Sequence, residues 1–289
     1  MTVLHVLDEG EVILRAASIP DPRKEASSLL QFAIGRERSF IVAHPEYGLT
    51  EEERHLFQRS VERRASREPF QHIVGRQEFY GLDFIVTPDV LIPRHETELI
   101  VEKAIELLID ERSPRFLEIG IGSGCISIAI LKNSPRASAI AVDISEPAIE
   151  IAKRNASMHA VNERLEIIRS DVYEKVPNER FDLIVANPPY VPLEDYAHLQ
   201  PEVRDHDPRI AVTDGSTGLT VIERIVADAP SRLRSDGHLL MEIGFGQHER
   251  VSAMFDRNRW KGPDLIPDLQ GIPRVVFATL RQPHEHRTS

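Results

Sequence analysis

Hydrophobic positions follow two different rhythms along this chain. Through about residue 70 they recur at helical spacing. The clearest case predicts a helix with Asp21 as N-cap, Pro22 at its first position and Gly35 just past its end. Ala26, Leu29, Leu30, Ala33 and Ile34 form its apolar stripe. A second helix is expected from Thr50, where Glu53 completes a capping box, to about Arg67, with Leu56, Phe57 and Val61 inward. An earlier helix over Val3–Ala17 is expected to be interrupted at Gly10. Residues 77–86 change texture: two short aromatic and β-branched runs flank Gly81 and predict a β-hairpin. Pro93 then forbids a strand, and Glu96 and Glu98 suit the first turn of a helix reaching about Asp110.

From Phe116 short apolar runs alternate with helical stretches, the pattern of an α/β domain with a parallel sheet. Predicted strands are Phe116–Gly120, Ala139–Asp143, Leu165–Ile168, Phe181–Ala186, Leu239–Ile243 and, closing the sheet, Arg274–Leu280. Helices are expected over Cys125–Leu131, about Gly218–Leu233 and about Gln247–Phe255. Between Val191 and Gly218 the chain is polar and aperiodic, which predicts either a substrate-side flap holding Glu202 and Asp205–Arg209 or an irregular surface loop.

Bulk properties narrow the classes. Hydrophobic residues make up 41% and charged residues 28% of 289, ordinary values for a soluble globular chain with room for one large domain or two. No apolar run approaches the ~20 residues of a membrane span. No basic stretch precedes an apolar core at the N-terminus, so no signal peptide is expected. Cys125 is the only cysteine, which excludes an intramolecular disulfide and suits a reducing cytoplasm. The twelve histidines lack metal-ligand spacing, so no metal is expected, and His284 and His286 read as part of a frayed polar tail. A net charge of −11 without a basic cluster argues against direct nucleic-acid binding.

The candidate chemistry sits at strand ends. Phe181–Ala186 runs into Asn187-Pro188-Pro189-Tyr190, and two successive prolines stop a strand because neither supplies an N–H. What remains is a set of acceptors: backbone carbonyls, the Asn187 side-chain oxygen, and beside them the face of Tyr190. Two acceptors and a ring suit a planar NH₂ group; a turn that merely ends the strand is the alternative. After the first strand, Gly120-Ile121-Gly122-Ser123-Gly124 lies between a strand and a helix, where a glycine loop lets backbone pass beneath a ligand. Asp143 ends the second strand nineteen positions after Gly124, placed to bridge ribose hydroxyls or to cap the next helix. Asp171 and Val172 follow the third strand, where an adenine edge could bind. Arg94 could reach an acidic group near this site or lie in solvent.

In that order and spacing, Glu118–Gly124, Asp143 and Asn187–Tyr190 resemble the S-adenosylmethionine-dependent methyltransferases that modify planar nitrogens. More narrowly, the chain resembles the protein-glutamine N5-methyltransferases of peptide chain release factors, the HemK/PrmC type. The narrower likeness rests on Glu25-Ala26 with Leu29-Leu30, Pro69–Gly75, Leu91–Arg94 with Glu96-Thr97-Glu98, Gly122–Ile126, and Glu242-Ile243-Gly244 with Gln247. His95 stands where the family usually has proline, His72 where tyrosine is common, and Asp207-Pro208 where Glu-Pro is expected.

The resemblance implies a Rossmann-like, seven-stranded class I methyltransferase sheet over residues 96–289. A helical substrate-recognition domain over 1–72 would precede it, joined by a β-hairpin linker over 73–95. It implies that Glu118, Gly120, Ile121, Gly122, Ser123 and Gly124 hold the methionine part of S-adenosylmethionine, Asp143 its ribose, and Asp171 and Val172 its adenine. Asn187 would border both cofactor and acceptor. The glutamine of a release factor's Gly-Gly-Gln loop would sit on Asn187, Pro188, Pro189 and Tyr190. The rivals are an adenine-N6 or guanine-N2 nucleic-acid methyltransferase, an NAD-dependent dehydrogenase that would leave Asn187–Tyr190 without a role, and a catalytically silent adaptor of the same fold.

Overall fold

The computed structural model describes residues 1–282, so His284 and His286 lie outside the described residues. The chain forms two compact units, Met1–Arg76 with Gln200–His206, and Gln77–Leu199 with Asp207 onward.

The first unit is helical: α1 (Val3–Ala16), α2 (Pro22–Ile34), α3 (Arg38–Ala43), α4 (Glu51–Ala65) and α5 (Phe70–Val74). Their apolar stripes meet in one core that includes Leu14, Leu29, Leu30, Phe57 and Val61. The capping box at Thr50 and Glu53 forms as expected. Two expectations fail here. Gly10 does not interrupt α1; it is buried, and a Cβ there would stand 2.8 Å from Phe57 Cζ. Its small size lets α1 and α4 approach, and packing outweighs its poor helix propensity. Asp21 takes a left-handed conformation, φ +47°, and makes no side-chain cap, although Pro22 starts α2 and Gly35 ends it as predicted.

The second unit begins within the hairpin β1 (Arg76–Phe79) and β2 (Leu82–Ile85). Tyr80 and Gly81 both have positive φ, the pairing a tight two-residue hairpin requires. Then come α6 (Glu98–Leu108), entered through a short 3₁₀ turn over His95–Thr97, β3 (Arg115–Ile119), α7 (Cys125–Asn133), β4 (Ser138–Asp143), α8 (Glu146–Met158), β5 (Leu165–Arg169) and β6 (Phe181–Ala186). The segment that the sequence shows as aperiodic holds three short helices, α9 (Leu193–Tyr196), α10 (Pro201–Arg204) and α11 (Arg209–Val212), and Pro208, Ile210 and Ala211 line the cavity described below. The middle one belongs to the helical unit, where Glu202 bonds Arg64 at 3.1 Å and Arg67 at 2.9 Å. The chain ends with α12 (Thr220–Arg232), β7 (Leu233–Glu242), α13 (His248–Ser252), β8 (Trp260–Pro267) and β9 (Pro273–Leu280).

The sheet has seven strands in the order β5-β4-β3-β6-β7-β9-β8. It is mixed, not wholly parallel as the alternation predicted: β9 is antiparallel to both β7 and β8. β9 therefore does not close the sheet, because β8, which the pattern did not reveal, forms the edge. Apolar side chains cover both faces in two separate cores. Among the described residues no helix is long and apolar enough to cross a membrane.

Candidate active site

The strand order fixes where a ligand can enter. The chain steps outward from β3 to β4 to β5, then returns to β6 and β7, so the switch point lies between β3 and β6. In open sheets of this kind a crevice opens at the strands' carboxyl ends beside the switch point. A cavity of about 330 Å³ lies there, within the range that holds small molecules.

Glu118, next to last in β3, lines this cavity although it is only 1% exposed. Its Oε2 accepts hydrogen bonds from the backbone N–H and the hydroxyl of Ser127 in the first turn of α7. Its Oε1 is buried with no hydrogen-bond partner among the described residues. Burial pushes its pKa up to about 8, against the lowering effect of Ser127 and with a smaller push from Asp143. After β3 the backbone turns through Gly120 and Gly122 with φ of +78° and +52°. A Cβ on Gly122 would meet no protein atom within 4 Å, so the turn needs glycine for its conformation and leaves open space on the cavity side. Gly124 differs: it precedes α7, does not line the cavity, and a Cβ there would strike Ile128 at 2.9 Å.

Asp143 at the end of β4 accepts from the Gly122 N–H and the Ser145 N–H, each at 2.9 Å. The cap of α8 is Ser145, whose hydroxyl accepts from Ala148 N–H, so Asp143 is not needed for that purpose. Burial raises the Asp143 pKa, opposed by its backbone donors. Beyond β5, Asp171 is paired with Arg224 at 2.9 Å, and Val172 sits at φ +48°. A β-branched residue in that region costs on the order of 1–3 kcal/mol, a kind of strain that clusters at ligand sites. Both residues line the cavity, as do Ile121 and Ser123. Arg94 also borders it and bonds Asp207 at 2.8 Å, so it reaches an acid while staying partly in solvent.

β6 delivers Asn187 and Pro189 to the cavity wall; Pro188 is buried and Tyr190 half-buried, and neither lines it. Asn187 Nδ2 donates to Thr97 Oγ1 at 3.1 Å, which turns Oδ1 the other way. The Thr97 hydroxyl donates to Glu242 Oε2 at 2.6 Å, and the Tyr190 hydroxyl to Glu242 Oε1 at 3.0 Å. Burial raises the Glu242 pKa, offset by these two bonds, and burial also raises that of Tyr190. Gln247 Nε2 donates to the Tyr190 carbonyl at 2.8 Å, while its Oε1 accepts from the Gly244 N–H at 2.8 Å.

Spacing and composition alone give no role to Thr97, Glu242 or Gln247. One signal was available for Glu242: like Glu118 and Asp143, it is an acid that directly follows a short apolar run in its strand, here Leu239–Met241, a costly placement without a purpose.

Comparison with known proteins gives the family of the chain. Residues 5–75 match the family model of the PrmC N-terminal domain and residues 97–199 that of the methyltransferase small domain. A methyltransferase structure from Pyrococcus furiosus shares the fold at 17% identity and a TM-score of 0.51, covering 71% of this chain and 91% of that one. The release factor glutamine methyltransferase of Koribacter versatilis is 39% identical over 96% of this chain and 98% of its own length. That of Geobacter sulfurreducens is 43% identical over 95% of both chains. This chain belongs to the family of release factor glutamine methyltransferases.

Proposed function

We propose that the chain transfers a methyl group from S-adenosylmethionine to the side-chain amide nitrogen of the glutamine in the Gly-Gly-Gln loop of a peptide chain release factor. The observation that carries this reading is Asn187. It stands at the cavity wall with its NH₂ bound to Thr97, so that its carbonyl oxygen is the group left to receive an N–H.

The residues present fit the cofactor. The orphaned Glu118 Oε1 offers a buried acceptor for a cationic amino group, the turn at Gly120 and Gly122 leaves room for ligand atoms, and Asp143 offers carboxylate oxygens for ribose hydroxyls. Ile121 and Ser123 border the same space, and Asp171 and Val172 the part assigned to adenine. When bound, S-adenosylmethionine supplies a methyl group made electrophilic by a sulfonium.

The protein's task is alignment. An amide nitrogen is a poor nucleophile because its lone pair is delocalised, and a clamp on both hydrogens directs what density it has. Asn187 Oδ1 takes one hydrogen, with Pro189 shaping the wall; the Pro188 carbonyl, which does not line the cavity, takes the other once the substrate seats against the tetrapeptide. Tyr190 is held by Glu242 and Gln247 and steadies the tetrapeptide. The nitrogen becomes acidic once it carries the methyl, so the proton leaves afterwards and no general base is required. The helical unit, which holds no catalytic candidate, recognises the protein substrate. A net charge of −11 favours a protein substrate over a nucleic acid.

Tandem mass spectrometry of a release factor treated with enzyme and S-adenosylmethionine tests this. One methyl, a gain of ~14 Da if transfer occurs at the oriented nitrogen, is expected on the glutamine of the Gly-Gly-Gln loop. Methylated nucleic acid with an untouched release factor would overturn it.

A further inference from the structure

We propose that Thr97 and Glu242 are positioning residues that fix which way the Asn187 amide faces, and so make that side chain an acceptor toward the substrate. The inference rests on the clamp role given to Asn187 and adds what sets its polarity.

The argument is a count of hydrogens. A threonine hydroxyl has one hydrogen to donate. Thr97 gives it to Glu242 Oε2 at 2.6 Å. Toward Asn187 the hydroxyl can then only accept, and what it accepts is Nδ2–H at 3.1 Å. The opposite amide orientation would set Oδ1 against a hydroxyl oxygen with no hydrogen to offer. Two lone pairs would face each other in a buried place, a costly arrangement. Glu242 thus acts at one remove: its acceptor oxygen commits the Thr97 hydrogen, and the committed hydroxyl selects the amide orientation. Without this relay the amide could turn over and present two N–H donors to a substrate NH₂ that also only donates.

The fold builds the relay deliberately. β6 and β7 are parallel neighbours with Ala186 opposite Met241, so Asn187, the first residue past β6, comes beside Glu242, the last residue of β7. Thr97, 2% exposed, comes from the turn that starts α6 and sits between them. A buried carboxyl is a poor way to stabilise a fold, since an apolar side chain of similar size commonly does as well or better. Glu242, 2% exposed, has both oxygens engaged, one by Thr97 and one by Tyr190. It therefore orients the two polar ends of the Asn187–Tyr190 segment at once.

The test is a double-mutant cycle on the full chain, read as single-turnover methylation of a release factor at saturating S-adenosylmethionine, with the KM for the release factor measured alongside. Thr97→Val keeps the shape and removes the hydroxyl. It should lower the single-turnover rate about tenfold, the scale of one oriented hydrogen bond, with the KM within about twofold. Thr97→Ser should restore the rate. Asn187→Ala should lower it by at least ~10², and adding Thr97→Val to that variant should change nothing further, because the relay has no other target. If Thr97→Val does not fold, Thr97→Ala, which adds no bulk, is read in the same way. A normal rate in Thr97→Val, no rescue by serine, or a full additional loss on the Asn187→Ala background would each overturn the relay while leaving the clamp. A normal rate in Asn187→Ala would instead remove the clamp itself.

Discussion

Cofactor binding should release a proton, and Glu118 is the group that releases it. Its carboxyl is buried, half-satisfied and held up at about 8. At pH 7 about nine in ten free molecules therefore carry it protonated. A cationic ligand against Oε1 favours the carboxylate, so binding lowers its pKa and expels the proton. Affinity should then rise about tenfold from pH 6 to pH 7 and level off above 8. Calorimetry of S-adenosylmethionine binding at pH 7, in phosphate and in Tris, measures the released proton directly from the difference in apparent enthalpy. Glu118→Gln should abolish both the buffer dependence and the pH slope. The same group predicts the stability of the free protein. Its folded pKa lies above the ordinary 4.5, so its contribution is complete below pH 4.5 and is lost as pH rises through 8. At 1.36 kcal/mol per unit, the full swing is about 5 kcal/mol. Wild-type binding with no proton release, in a protein whose stability is flat between pH 5 and pH 9, would show that Glu118 is already ionised in the free protein.

Two further outcomes are expected. Asp143→Ala should weaken S-adenosylmethionine binding by ~1–3 kcal/mol, the loss of charge-assisted bonds to hydroxyls; unchanged affinity by calorimetry would leave Asp143 only its bonds to Gly122 and Ser145. Gly10→Val should destabilise the helical unit by about 2 kcal/mol through overpacking against Phe57; a raised thermal midpoint would mean α1 has room to spare there.

Features encoded within a few residues were legible without the fold. The Thr50–Glu53 capping box, the stop of β6 at two prolines, and the hairpin turn at Gly81 each depend on neighbours in sequence, and each formed. Local signals misled where a distant partner set the outcome. Gly10 reads as a helix breaker until Phe57, 47 positions later, is seen to need its space. Asp21 reads as a cap, yet its backbone enters α2 from a left-handed turn that places no side-chain oxygen on the helix N–H groups. β8 is rich in glycine, proline and charge, which argues against a strand. It is tolerated because it lies at the sheet edge and bonds only β9.

The strand–helix alternation, the glycine turn after β3 and the acceptor-rich tetrapeptide after β6 are written in the residues themselves, because φ restrictions, missing N–H groups and apolar periodicity act within a single element. Which polar groups meet depends on how the elements pack. Thr97 and Glu242 lie 145 positions apart, and Asn187 lies 90 from Thr97. Their contact follows from the parallel register of β6 and β7 and the return of α6 to the strand ends. A hydroxyl with one hydrogen can be assigned a direction only when both of its neighbours are known.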